Sequence, residues 1–89
     1  MSFDLDFTNR FKKDVKLCIK RNYNITLLEE VLLELRENGK LNLKYKPHIL
    51  SGNKDGLWEC HIKSDWLLTW YFNENTIILV RTGTHSDLF

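Results

Sequence analysis

The residues able to do chemistry crowd into the last third of the chain. Glu59, His61 and Asp65 lie close together, Arg81 and His85 follow, and His48 precedes them just after the sole proline. Imidazoles beside carboxylates donate and accept protons near neutral pH, and a guanidinium at a strand rim grips a phosphate through paired hydrogen bonds. Such a set suits acid–base chemistry at a phosphorus centre without a metal. Zinc-type pairings such as H-x-H or H-E-x-x-H are absent. Cys60 and His61 are neighbours on a strand and so point to opposite faces, and no metal site or cofactor is expected.

Each residue also has a plainer reading. Glu59 and His61, two apart on a strand, share a face and favour an imidazolium between them, but an edge-strand ion pair would look the same. Asp65 opens a turn, a common structural role for Asp. Arg81 ends an apolar run, Ile77-Ile78-Leu79-Val80, and His85 lies in Gly83-Thr84-His85-Ser86, a small-residue loop with backbone donors. What argues for a shared site is that all three histidines fall at the edges of elements.

The elements that must position them can be read from pattern. Phe3, Leu5 and Phe7 alternate with Asp4 and Asp6, which marks a strand. Thr8 or Asn9 caps a helix with Phe11, Val15, Cys18 and Ile19 on one stripe, and Asn22-Tyr23-Asn24 breaks it. Thr26-x-x-Glu29 has capping-box spacing, and the second helix buries Leu28, Val31, Leu32 and Leu35 before Asn38-Gly39 ends it. Residues 40–56 read as a basic loop with a turn at Asn53-Lys54-Asp55-Gly56. Strands are expected over Leu57–Ile62, Trp66–Phe72 and Thr76–Thr82, with Trp66–Phe72 central because it is the most apolar. The order β-α-α-β-β-β gives an α+β fold, a strand and helical hairpin packed on a small, mainly antiparallel sheet, in one domain over residues 1–89.

Composition narrows the classes further. No apolar run reaches membrane-spanning length and the N-terminus is no signal peptide, so a soluble cytoplasmic protein with two buried free thiols, Cys18 and Cys60, is expected. The net charge of +1 conceals segregation. Arg10, Lys12, Lys13, Lys16, Lys20 and Arg21 oppose Asp14 alone, whereas Glu29, Glu30, Glu34 and Glu37 oppose only Arg36. Blocks of this kind suit a polyanion on one side and a different partner on the other, or simply two solvated helix faces.

Three strings closely resemble the YafQ branch of the RelE/ParE superfamily. They are Tyr45-Lys46-x-His48-x-Leu50-x-Gly52, Glu59-x-His61-Ile62-x-x-Asp65-Trp66-Leu67-Leu68, and Arg81-Thr82-Gly83-Thr84-His85-Ser86-x-Leu88-Phe89. Phe11-x-Lys13-Asp14-x-Lys16 also fits, so the likeness spans nearly the whole chain. It implies a bacterial type II toxin that cleaves mRNA on the ribosome by metal-independent attack of the 2′-OH, leaving a 2′,3′-cyclic phosphate and a 5′-OH. It assigns His48, His61, Asp65 and His85 to catalysis: His48 and His61 as the acid–base pair in either order, Asp65 orienting a histidine or a base edge, Glu59 tuning His61, and Arg81 with His85 supporting the phosphorane. Trp66 and Lys46 join the RNA contacts, and Phe89 stacks on a base. The implied partners are a cognate antitoxin, the ribosome and mRNA, with operator DNA bound only by the toxin–antitoxin complex. Glu59 stands where many members carry Asp, and Trp58 where Arg is frequent. A non-catalytic module that grips RNA or protein is the competing reading.

Overall fold

Thr8 ends the first strand, β1 (Asp4–Phe7), and starts the first helix in one residue. Its hydroxyl oxygen accepts the Phe11 N–H and donates to the Val80 carbonyl, so it caps α1 (Asn9–Lys20) while tying that helix to the sheet. The second helix, α2 (Ile25–Asn38), is capped by Asn24, whose side chain accepts the Thr26 N–H. The expected Thr26–Glu29 box is therefore displaced by two residues; an Asn in extended conformation immediately before the helix reaches the orphan N–H first. Gly39 closes α2 at φ 70°, and a Cβ there would sit 2.6 Å from the Phe3 ring. Both the left-handed turn and the aromatic neighbour demand glycine.

The computed structural model describes residues 2–50 and 56–89. The Asn53–Gly56 turn expected from sequence falls almost wholly outside them. A single 3₁₀ turn at Leu43–Tyr45 leads into a two-residue strand, β2 (His48–Ile49). Then come β3 (Trp58–Lys63), β4 (Trp66–Asn73), β5 (Thr76–Gly83) and a last short helix, α3 (His85–Leu88). The described strands form one sheet in the order β1-β5-β4-β3-β2. The β1–β5 pair is parallel and the other pairs are antiparallel. As expected, β4 is central. The additions are β2, a strand inside what read as a loop, and α3, a short helix where His85 was expected in a loop.

The two long helices, α1 and α2, lie on one face of the sheet. Phe11, Cys18, Leu28, Val31 and Leu35 meet Cys60, Ile62, Leu68, Trp70, Ile77 and Leu79 in the core. The cysteines are free and buried, and burial pushes the thiols up to about 11 for Cys18 and about 12 for Cys60, which leaves them inert as nucleophiles. The stripe on α1 differs from expectation: Ile19 is 55% exposed and Asp14 is buried. The reason lies at the sheet edge. Pairing of β1 with β5 stops at Phe7↔Leu79, so the Thr82 N–H further along lacks a strand partner, and Asp14 accepts it at 3.1 Å.

Candidate active site

Alternation along β3 sends Cys60 and Ile62 into the core, so Glu59 and His61 project from the face away from the helices. In register, β2 sets His48 directly across from Glu59. His85 is delivered by the start of α3, where Thr84 and Asp87 form a reciprocal capping box after the Gly83 turn. These three unrelated segments bring the histidines into a row. The ring centroids of His48 and His61 are 6.4 Å apart, and those of His61 and His85 are 5.8 Å apart.

Asp65, in the β3–β4 turn, fixes one end of the row. Its Oδ1 accepts the backbone N–H of His85 at 3.0 Å and the ring Nδ1–H at 2.8 Å. These donors, the backbone N–H foremost, hold the Asp65 carboxyl below its ordinary value. With Nδ1–H committed, the Nε2 edge of His85 faces outward on a ring that remains largely exposed. An imidazole oriented by a carboxylate, with its second nitrogen open to a substrate, is the arrangement of a proton-transfer group.

At the other end, Glu59 pairs with His48 rather than with His61: His48 Nε2 lies 3.3 Å from Glu59 Oε1. The expected tuning of His61 by Glu59 is thus redirected, because β2 supplies a cross-strand partner closer than the neighbour two residues along. His48 Nδ1 meets the Lys46 carbonyl at 2.9 Å, so both ring nitrogens face acceptors. Lys46, in a left-handed conformation at φ 52°, serves the site through its backbone while its side chain stays exposed. Glu59 is buried, and its Oε2 has no hydrogen-bond partner among the described residues.

Two other assignments land elsewhere. Arg81 does not stand free at a strand rim. It donates through Nε and Nη2 to Asp14 at 2.7 and 3.3 Å, and through Nη2 to the Asp87 carbonyl at 3.1 Å. Trp66 is core rather than surface. Its indole N–H donates to the Thr82 hydroxyl at 2.9 Å and Tyr23 packs edge-on against the ring, so it props the turn that carries Asp65. Phe89 is 72% exposed, and its N–H donates to the His85 carbonyl at 2.9 Å.

Sequence reasoning missed the links that hold α3 in place. Asp87 accepts two hydrogen bonds from Arg21, at 2.6 and 3.2 Å, which latches α3 to the end of α1. The guanidinium keeps the Asp87 carboxyl well below its usual range. Signals for both acids were present: Thr84-x-x-Asp87 has capping-box spacing, and Asp14 is the lone acid in a basic helix. Among the described residues no group of three or more His, Cys, Asp or Glu side chains is arranged to hold a metal ion.

Comparison with known proteins agrees over nearly the whole length. Residues 3–89 match the family described as the bacterial toxin of type II toxin–antitoxin system, YafQ. The mRNA interferase toxin YafQ of Escherichia coli K12 is 35% identical over 88 residues, covering 97% of this chain and 95% of the relative. The E. coli DinJ–YafQ toxin–antitoxin complex superposes with a TM-score of 0.91 at 32% identity, covering 100% of this chain and 99% of that one. A metal-bound toxin from Helicobacter pylori does so with a TM-score of 0.91 at 38% identity, covering 98% and 99%. The fold, the histidine row and these likenesses converge, and the chain belongs to the YafQ family of type II toxin–antitoxin toxins.

Proposed function

We propose that this chain is an mRNA interferase that cuts ribosome-bound message by general acid–base catalysis and is silenced by a cognate antitoxin. The observation that carries this reading is the His85–Asp65 pair, with its outward Nε2, set 5.8 Å from His61 in a row that continues to His48. Attack of a 2′-OH on its own phosphodiester needs one group to take a proton and another to return it to the leaving 5′-oxygen. Each such group contributes on the order of 10²–10⁴-fold. The His85 Nε2 fills one of these places and His61 or His48 the other. The exposed Phe89 supplies a stacking surface for a base.

The part given to Arg81 changes with its geometry. A guanidinium neutralised by Asp14 acts on the site by holding α3 and β5 in register, and any charge it lends the phosphorane is shared with that carboxylate. None of these steps is routed through a metal. A cytoplasmic location follows from a substrate on the ribosome. In keeping with it, no helix among the described residues is long and apolar enough to cross a membrane.

The test is direct. Purified protein added to translating ribosomes in EDTA should cut mRNA and leave 2′,3′-cyclic phosphate ends. His85→Ala and Asp65→Ala should each lose at least 10²-fold in rate. Protection of mRNA without cutting would make the chain a binding module, and cutting abolished by EDTA would require a metal in the mechanism.

A further inference from the structure

Beside the histidine row, and assigned to nothing so far, lies a groove of about 400 Å³. One wall is the α1–α2 loop, at Asn22 and Tyr23, and the other is the β3–β4 turn, at Lys63, Ser64 and Asp65, with the almost fully buried Trp66 beneath them. We infer that this groove is a nucleotide subsite, which takes the mRNA nucleotide flanking the scissile phosphodiester and reads its base. The inference rests on the RNA-cleavage reading above.

Four observations on the molecule favour this occupant. The groove shares Asp65 with the His85–Asp65 pair, so it adjoins the histidine row at the His85 end. Its walls carry the groups that single-stranded RNA uses: an ammonium at Lys63 for phosphate, an amide and a hydroxyl at Asn22 and Ser64 for base edges, and a half-buried phenol ring at Tyr23. The Tyr23 ring is not free to swing, because it sits edge-on to Trp66 with centroids 4.8 Å apart at 61°. It therefore offers a preset surface, at little entropic cost to binding. Finally, the large exposed apolar side chains that a protein partner would use as anchors, among them Leu33, Leu43 and Ile49, lie outside this groove.

Asn22 makes a selective probe. Its φ of 61° is one that glycine adopts freely, so Asn22→Gly removes the amide without disturbing the loop. Lys63 is exposed and Lys63→Ala leaves the core intact. In the Asn22→Gly/Lys63→Ala double variant, KM for ribosome-bound mRNA should rise about tenfold with a much smaller change in kcat, and the set of codons cut should broaden. In parallel, a 2′-O-methyl trinucleotide, which cannot be cleaved, is titrated into the wild-type protein and followed by NMR. It should shift the amide signals of Asn22, Tyr23 and Ser64 together with that of His85.

Unchanged KM and codon profile in the double variant, with no shifts at the groove, would overturn the subsite while leaving the cleavage reading standing. A wild-type protein that fails to cut would sink the cleavage reading, and the trinucleotide titration still decides the groove. If the double variant loses antitoxin neutralisation yet keeps its codon profile, the groove is a protein contact and the inference is wrong.

Discussion

Asp65 grips His85 through two bonds that respond differently to substitution. The backbone N–H is the larger cause of the depressed carboxyl and survives in His85→Ala, whereas the ring contribution does not. An NMR titration of Asp65 should therefore show its midpoint moving only part of the way back toward the ordinary carboxylate value in that variant; full return would mean that the ring alone holds it. The sign is that of any depressed acid. The interaction is complete above the ordinary carboxylate range and is lost as pH falls through the depressed value, so acid and not alkali should loosen α3 at this contact. His61, half-buried on the open face, should tolerate His61→Ala without unfolding and lose on the order of 10²-fold in cleavage. Phe89→Ala should spare folding and cost ten- to a hundredfold in cleavage, equivalent to ~1–3 kcal/mol of stacking; full activity would return Phe89 to an incidental tail.

Among the elements, α1 and β5 are joined by one buried carboxylate. Removing it in Asp14→Ala leaves the Thr82 N–H without its acceptor and Arg81 without its counter-ion, at a cost of about 3 kcal/mol in stability. Chemical denaturation measures this, and a loss below ~1 kcal/mol would mean that water replaces the carboxylate. Asp14 also shows where pattern reading stops. The apolar periodicities of α2, β4 and β5 identified those elements and their buried faces, because hydrophobic spacing is a local signal. On α1 the same logic chose Ile19 over Asp14, since a polar group demanded by an unpaired edge N–H in another strand has no local signature. The strand β2 was invisible for a related reason: two residues carry no period, and its pairing exists only because Glu59 and Trp58 lie opposite. At the candidate site, the gathering of the three histidines and Asp65 was legible, from the histidines' places at element edges and from the resemblance. Which carboxylate serves which imidazole depended on register, and sequence could not supply it. Trp66 looked like a ligand contact because a Trp beside a reactive turn has the same letters whether it faces in or out.

Taken whole, the molecule keeps its basic helix on the surface, with Lys12, Lys13 and Lys16 exposed along α1. Charge placed there acts on encounter more than on docking. Changing all three to Glu should slow association with the antitoxin, with ribosomes, or with both, by tenfold or more at low salt, a deficit that shrinks as salt screens it. Unaltered rates in stopped-flow measurements would show that the charge blocks are only solvated faces. The parallel pairing of β1 with β5 carries a different implication, for the moment of synthesis. Residues 4–7 find their partners at residues 76–79, so the first strand waits for nearly the whole chain before it can join the sheet. His85 comes later still. A nascent chain that has not yet delivered residue 76 has neither a closed sheet nor its oriented imidazole, and a fragment ending at Asn75 should accordingly show no native sheet. Order of assembly thus makes the oriented imidazole one of the last features of the fold to form, after the strand that residues 4–7 await.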